Sequence, residues 1–198
     1  MSLLLETIRV ADRAFQNLSY HQQRLERSIQ QHFPQVEPIL LAEKLAIPDS
    51  LDNGVYKCRV LYDEKIRTIE FLPYTVRSVQ SLALVSIPSD ADYSSKWANR
   101  SWIEQLKQGT AADDILMVKN DLLTDTSYAN IALWDGYEWF TPRLPLLEGT
   151  KRAQLLAEGI LKTADIRPCE LLDFQYLKLL NAMINFEESP TVSVSNIQ

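Results

Sequence analysis

The sequence predicts an α+β protein in two lobes. Three features carry that prediction: short alternating apolar runs rich in β formers, helix-forming stretches between and after them, and a turn-rich break near the middle. At 198 residues with 46% apolar content, the chain can bury about two thirds of the surface its unfolded form exposes. It needs neither disulfides nor a metal to fold.

The first alternation, Thr7-Ile8-Arg9-Val10 after three leucines, predicts a strand starting almost at the first residue. Asn17 or Ser19 then offers an N-cap for a helix over 20–33, with His21, Arg24 and Leu25 on one face and Pro34 closing it. A second helix over 36–45 places Pro38 in its first turn. Residues 55–62 and 66–71 alternate around Asp63-Glu64-Lys65 and predict a hairpin, followed by a strand over 79–87. Apolar periodicity stops at Pro88-Ser89-Asp90-Ala91-Asp92, which sets the predicted boundary between an N-terminal lobe, 1–88, and a C-terminal lobe, 89–188. That second lobe reads as a helix over 97–107, strands over 114–119, 129–134 and 138–140 with turns at Asn120-Asp121 and Asp135-Gly136, and a helix over 150–162. A short strand after Pro168 and a helix over 174–180 follow, and the Ser/Thr/Asn-rich residues 189–198 are expected to be a flexible tail.

Composition removes several functions. Lys plus Arg is 20 against 26 for Asp plus Glu, a net charge of −6 without blocks of one sign, which argues against a general nucleic-acid binder. The five glycines, Gly54, Gly109, Gly136, Gly149 and Gly159, are too sparse for a dinucleotide fingerprint, a Walker A loop or a nucleophile elbow. Cys58, Cys169, His21 and His32 lack zinc-ligand spacing. With no apolar run near membrane-spanning length and no disulfide framework, the expected compartment is the cytoplasm, with both thiols reduced. Chemistry in such a chain has to come from an organic cofactor.

Three places suit that chemistry. Lys96, between aromatic residues at the predicted start of a helix and one turn before Arg100, is expected to have a lowered pKa and to be able to form a Schiff base, although most lysines in such a context are solvated surface residues. Asp125, between two strand-like runs, reads equally as a turn aspartate bonding its own backbone. Gly149-Thr150-Lys151-Arg152 opens a helix, and the amides of Thr150 and Lys151 suit an anion such as phosphate.

Five segments in order bring these pieces together: Glu6-Thr7-Ile8-Arg9-Val10, His21-Gln22-Gln23-Arg24-Leu25, Lys96 through Asn99-Arg100, Asp125 through Asn130-Ile131, and Thr141-Pro142-Arg143-Leu144 with Leu147-Glu148-Gly149-Thr150-Lys151-Arg152. In these the chain resembles the class IV aminotransferase family of pyridoxal-phosphate enzymes, which includes aminodeoxychorismate lyase, branched-chain aminotransferase and D-amino acid aminotransferase. The resemblance implies the two-lobed fold type IV of D-amino acid aminotransferase, here N-terminally shortened, and pyridoxal 5'-phosphate as cofactor. It makes Lys96 the Schiff-base lysine and proton carrier. Arg24 becomes a ligand of the cofactor phosphate, an anion role for which the guanidinium fork suits. Thr150 and Lys151 are implied as main-chain phosphate ligands, and Met183, in Asn181-Ala182-Met183, as a residue near the phosphate. Asp125 stands where the family usually has glutamate and is implied to hold the pyridine nitrogen, on an arm shorter by one methylene.

The activity implied first is that of the lyase branch, an elimination releasing pyruvate and 4-aminobenzoate from aminodeoxychorismate in folate biosynthesis. An amino-acid aminotransferase, or a cofactor-binding protein of this fold without activity, stands beside it. The implied partners are a small amino substrate and a second copy of the chain as a homodimer, with no nucleic acid and no membrane.

Overall fold

The computed structural model describes residues 3–198, which form two compact units. One comprises the chain up to Val76 together with Ser95–Asn99, the other Arg77–Ser94 and Arg100–Gln198.

In the first unit, β1 (Leu4–Ala11) turns tightly into β2 (Ala14–Phe15), α1 (Leu18–His32) and a single turn α2 (Leu41–Lys44) follow, and β3 (Tyr56–Tyr62) and β4 (Ile66–Pro73) form the expected hairpin. The four strands make an antiparallel sheet in the order β2-β1-β3-β4, with Glu6 opposite Val60 and Ile8 opposite Cys58. Strict alternation along β1 turns Leu4, Ile8 and Val10 toward α1, where they meet Leu25 and Ile29 in one apolar cluster. The second helix covers only Leu41–Lys44, less than the sequence predicted, because the stretch holding Pro34 and Pro38 stays extended or turned.

The second unit holds two strand-helix-strand crossovers. β5 (Leu82–Ser86), α3 (Ser101–Gln108) and β6 (Asp114–Lys119) form the first, since β5 and β6 pair in parallel and a parallel pair needs a crossover of this length. Asn120 and Asp121, at φ 52° and 60°, then make a two-residue turn into β7 (Leu122–Thr126), antiparallel to β6. After β8 (Asn130–Trp134), the second crossover runs from β9 (Trp139–Pro142) through α4 (Thr150–Ala157) to the parallel strand β10 (Leu161–Ala164). β11 (Tyr176–Leu180) and β12 (Thr191–Ser193) complete a five-stranded sheet ordered β10-β9-β8-β11-β12 beside the three-stranded β5-β6-β7.

Several expectations are corrected. Residues 77–88 belong to the second unit and 95–99 to the first, because β5 pairs with β6 while Lys96 O accepts from Leu5 N at 2.9 Å and Ala98 N donates to Leu3 O at 2.8 Å. The composition break at 88–95 is therefore a loop between units and not the lobe boundary. Within the helix expected over 174–180, residues 176–180 are a strand, since Leu177, Leu179 and Leu180 are buried between β8 and β12 and tertiary pairing overrides the helix formers. The helix over 150–162 stops at Ala157, before Gly159 at φ 72°. A 3-10 helix, Pro168–Asp173, replaces the strand expected after Pro168. The tail is ordered: Val192 is buried, and Gln198 N donates to Leu82 O at 3.0 Å.

No helix among the described residues is long and apolar enough to cross a membrane. Cys58 is buried, which pushes its thiol up to about 12, whereas Cys169 is exposed. The native protein is expected to react through Cys169 alone with a thiol reagent, and Cys58 to react only after denaturation; rapid labelling of both in the native state would contradict this core.

Candidate active site

Two clusters hold the chemistry-bearing side chains, one in each unit. In the first, β1 directs Glu6 onto the face covered by α1, and His21 and Arg24 stand one turn apart on that helix. Arg24 grips the carboxylate through Nε to Oε1 at 2.8 Å and Nη2 to Oε2 at 2.5 Å, and His21 Nδ1 approaches Oε2 at 2.6 Å. All three are buried. Burial by itself raises the Glu6 carboxyl, but the Arg24 guanidinium and the His21 ring outweigh it and bring it down to about 2. Burial lowers His21 against the pull of Glu6, with Arg24 and Lys96 adding to the effect, so the ring is neutral at pH 7 and its Nδ1–H is the donor to Glu6. The fork of Arg24 is thus closed on Glu6, where the sequence suggested a fork closed on an anion. Glu6 was legible in the sequence only as the first residue of the Glu6-Thr7-Ile8-Arg9-Val10 segment, with no role attached to it.

Lys96 does not start a helix. The helix begins at Ser101, so the dipole expected to perturb the lysine lies beyond it, and Arg100, at the N-cap of α3, pairs with Glu104 at 3.2 Å. Instead the backbone of 96–98 lies along the start of β1. Trp97 N donates to Ser95 O at 2.9 Å, closing a three-residue turn with Lys96 at its apex.

In the second unit Asp125 sits inside β7 and is 5% exposed, not in a turn. Its Oδ1 accepts from Asn130 Nδ2 at 2.8 Å and its Oδ2 from Leu147 N at 2.9 Å. Burial raises this carboxyl to about 6 despite those neutral donors and a more distant Arg152. Asn130 Nδ2 also donates to Leu147 O at 2.8 Å, tying Asp125 to the chain that leads into α4. A Cβ on Gly149 would fall 2.0 Å from Asn130 Oδ1, so only glycine lets α4 start this close to β8.

Thr150 is buried at the first turn of α4, while Lys151 Nζ turns back to Gln154 Oε1 at 2.8 Å. Arg152 is also buried, donating from Nε to Thr141 Oγ1 at 3.2 Å and from Nη2 to Pro142 O at 2.8 Å, which pins α4 to β9. Met183 is buried in the turn after β11, where its N–H meets Asn181 Oδ1 at 2.9 Å. Asp125, Asn130 and the start of α4 are thus brought together around Leu147, and Glu6, His21 and Arg24 around one carboxylate. Asn130 was legible only as part of a motif, and Arg152 only as a residue of the helix start.

These two carboxylates titrate in opposite senses. Glu6 is lowered from 4.5 to about 2, so its contribution is complete above pH 4.5 and is lost as pH falls through 2. Glu6→Gln, which leaves Arg24 buried without its anion, is expected to destabilise by about 3–5 kcal/mol at neutral pH. Urea unfolding should show that gap narrowing below pH 4.5. Asp125 is raised from 3.8 to about 6, so its ionisation destabilises increasingly from pH 3.8 to 6 and fully above. Its contribution to that slope, about 3 kcal/mol in the cofactor-free protein, should vanish in Asp125→Asn.

The fold is shared with known proteins. A family profile for amino-transferase class IV matches residues 94–187. An uncharacterized protein of Haemophilus influenzae is 33% identical over 183 residues, covering 91% of this chain and 97% of the relative. Among solved structures, a proposed 4-amino-4-deoxychorismate lyase from Haemophilus somnus superimposes with a TM-score of 0.86 at 30% identity, covering 92% of this chain and 97% of the other. A hypothetical aminotransferase from Mycobacterium tuberculosis in its PLP-bound form shares the fold at a TM-score of 0.72 and 17% identity, covering 96% of this chain and 80% of the other. The chain is a member of the class IV aminotransferase family, a family of pyridoxal-phosphate-dependent proteins with the fold the sequence predicted.

Proposed function

We propose that this chain is a pyridoxal-phosphate-dependent enzyme acting on an amino substrate, and that its reaction is the elimination that releases pyruvate and an aromatic amine from 4-amino-4-deoxychorismate. The observation that carries the cofactor is Asp125, a buried carboxylate whose hydrogen-bond donors are neutral. Such a carboxylate suits a protonated ring nitrogen, which would supply the missing positive charge and draw the Asp125 carboxyl back down from about 6. The lyase reading is supported by the likeness to the Haemophilus somnus protein.

When bound, pyridoxal phosphate supplies an electron sink for the bonding pair left at the substrate Cα. Lys96 would be the residue that holds the cofactor, and its Nζ amine would take the Cα proton and return it to the product. Asp125 would keep the ring nitrogen protonated, with Asn130 and the Leu147 amide holding Asp125 in place. The first amides of α4 at Thr150 and Lys151 would hold the phosphate, whereas the Arg24 fork, implied for the same anion, is engaged by Glu6. Met183 stands beside the phosphate in this reading.

An aminotransferase uses the same lysine, ring and carboxylate, and the likeness to the Mycobacterium tuberculosis fold keeps it as the second reading. Borohydride reduction of protein treated with pyridoxal phosphate, followed by peptide mapping, should place the adduct on Lys96, and Lys96→Ala should lose it entirely. An unchanged adduct in that variant, or none in the wild type, overturns the assignment. Pyruvate release from 4-amino-4-deoxychorismate identifies the lyase, and transfer of an amino group to a keto acid identifies the aminotransferase.

A further inference from the structure

The turn that carries Lys96 rests on one side chain that none of the roles above uses. His32 ends α1, and its Nε2 lies 2.8 Å from Ser95 Oγ. The Ser95 hydroxyl is directed in turn at Gln31 Oε1, 3.5 Å away, which makes His32 Nε2 the donor in this pair. Ser95 is only 3% exposed, so its hydroxyl depends on these partners. On the other side of Lys96, the Trp97 ring packs against the same imidazole at 4.7 Å between centroids and 54°. Residues 95 and 97 thus meet a single histidine while the three-residue turn closed by Trp97 N to Ser95 O holds residue 96 between them.

The main chain supports this arrangement from a second direction. Leu5 N donates to Lys96 O, Ala98 N donates to Leu3 O, and Leu4 and Trp97 form an isolated antiparallel bridge. Those bonds fix the segment along β1. His32 adds contacts to Ser95 and Trp97, the two residues that flank Lys96. A lysine has four rotatable bonds, so the direction of its Cα–Cβ bond sets which volume Nζ can sweep.

We propose that His32 is a positioning residue for Lys96: by bonding Ser95 and packing against the tilted Trp97 ring it fixes the turn from which the lysine projects, and so raises the fraction of Nζ placed to bond a carbonyl carbon. The inference rests on the role given to Lys96 above. It adds a residue with no contact to cofactor or substrate, acting only through its neighbours.

Two measurements separate this proposal from the reading on which it rests. In the cofactor-free protein, His32→Ala should speed hydrogen exchange at the Trp97 and Ala98 amides about tenfold, the size expected for losing one net hydrogen bond, with the β1–β3 amides unchanged. In the second measurement, the apparent affinity for pyridoxal phosphate, read as adduct fixed by borohydride at Lys96, should fall about tenfold in His32→Ala and in Ser95→Ala. The double variant should be no worse than the worse single one, because both remove the same bond. His32→Gln, whose amide can still donate to Ser95 Oγ, should recover most of the loss, and its thermal melting should match the wild type. Unchanged exchange at Trp97 and Ala98 in His32→Ala overturns the proposal, as does strictly additive loss in the double variant. Absence of any wild-type adduct at Lys96 overturns the functional reading instead, while hydrogen exchange still decides whether His32 holds the turn.

Discussion

The bidentate bond between Glu6 and Arg24 is the constraint on which the first unit is organised. It joins a strand to a helix through two charged groups removed from water, and such a pair is tolerable only when its geometry and its remaining hydrogen bonds are satisfied. That requirement fixes the register of α1 on β1 more sharply than the apolar cluster around it, because Leu25 and Ile29 would pack in several registers and the guanidinium would not. His21 completes the arrangement by donating to the same carboxylate, which settles its tautomer.

In the second unit burial acts on another carboxylate and gives the opposite result. Glu6 has a cation in hydrogen-bond contact and is held down near 2, whereas Asp125 has an amide side chain and main-chain donors and is driven up to about 6. The difference lies in the partners, since both carboxylates are almost wholly buried. A carboxylate left in that condition carries unused binding energy for a positively charged group. Asn130 and Gly149 make the condition possible, the first by tying Asp125 to Leu147 and the second by leaving room for the Asn130 amide where any side chain would collide.

Lys96 illustrates how far local sequence can mislead about the surroundings of a side chain. Its neighbours suggested a helix start and a dipole, and the structure gives it an extended segment docked on β1, with its flanking residues anchored on a histidine more than sixty positions earlier. The residue type and its place in a family motif do not depend on the element carrying it. Its environment does, because environment is made by distant residues.

The sequence by itself determined the α+β class, the hairpin over 55–71, the helix over 20–33 and the family, since alternation, helical spacing and motif order are properties of residues near one another in the chain. It also singled out Arg24, Lys96, Asp125 and the start of α4 as candidate site positions. Only the tertiary structure decided that residues 176–180 pair as a strand and that the last ten residues are ordered against β11 and β5. It alone closed Arg24 on Glu6 and set Asp125 among neutral donors. Those outcomes depend on which groups meet after the chain has crossed from one strand to another, and both the stability of a strand and the charge state of a buried acid are set by those partners and not by the residue that carries them.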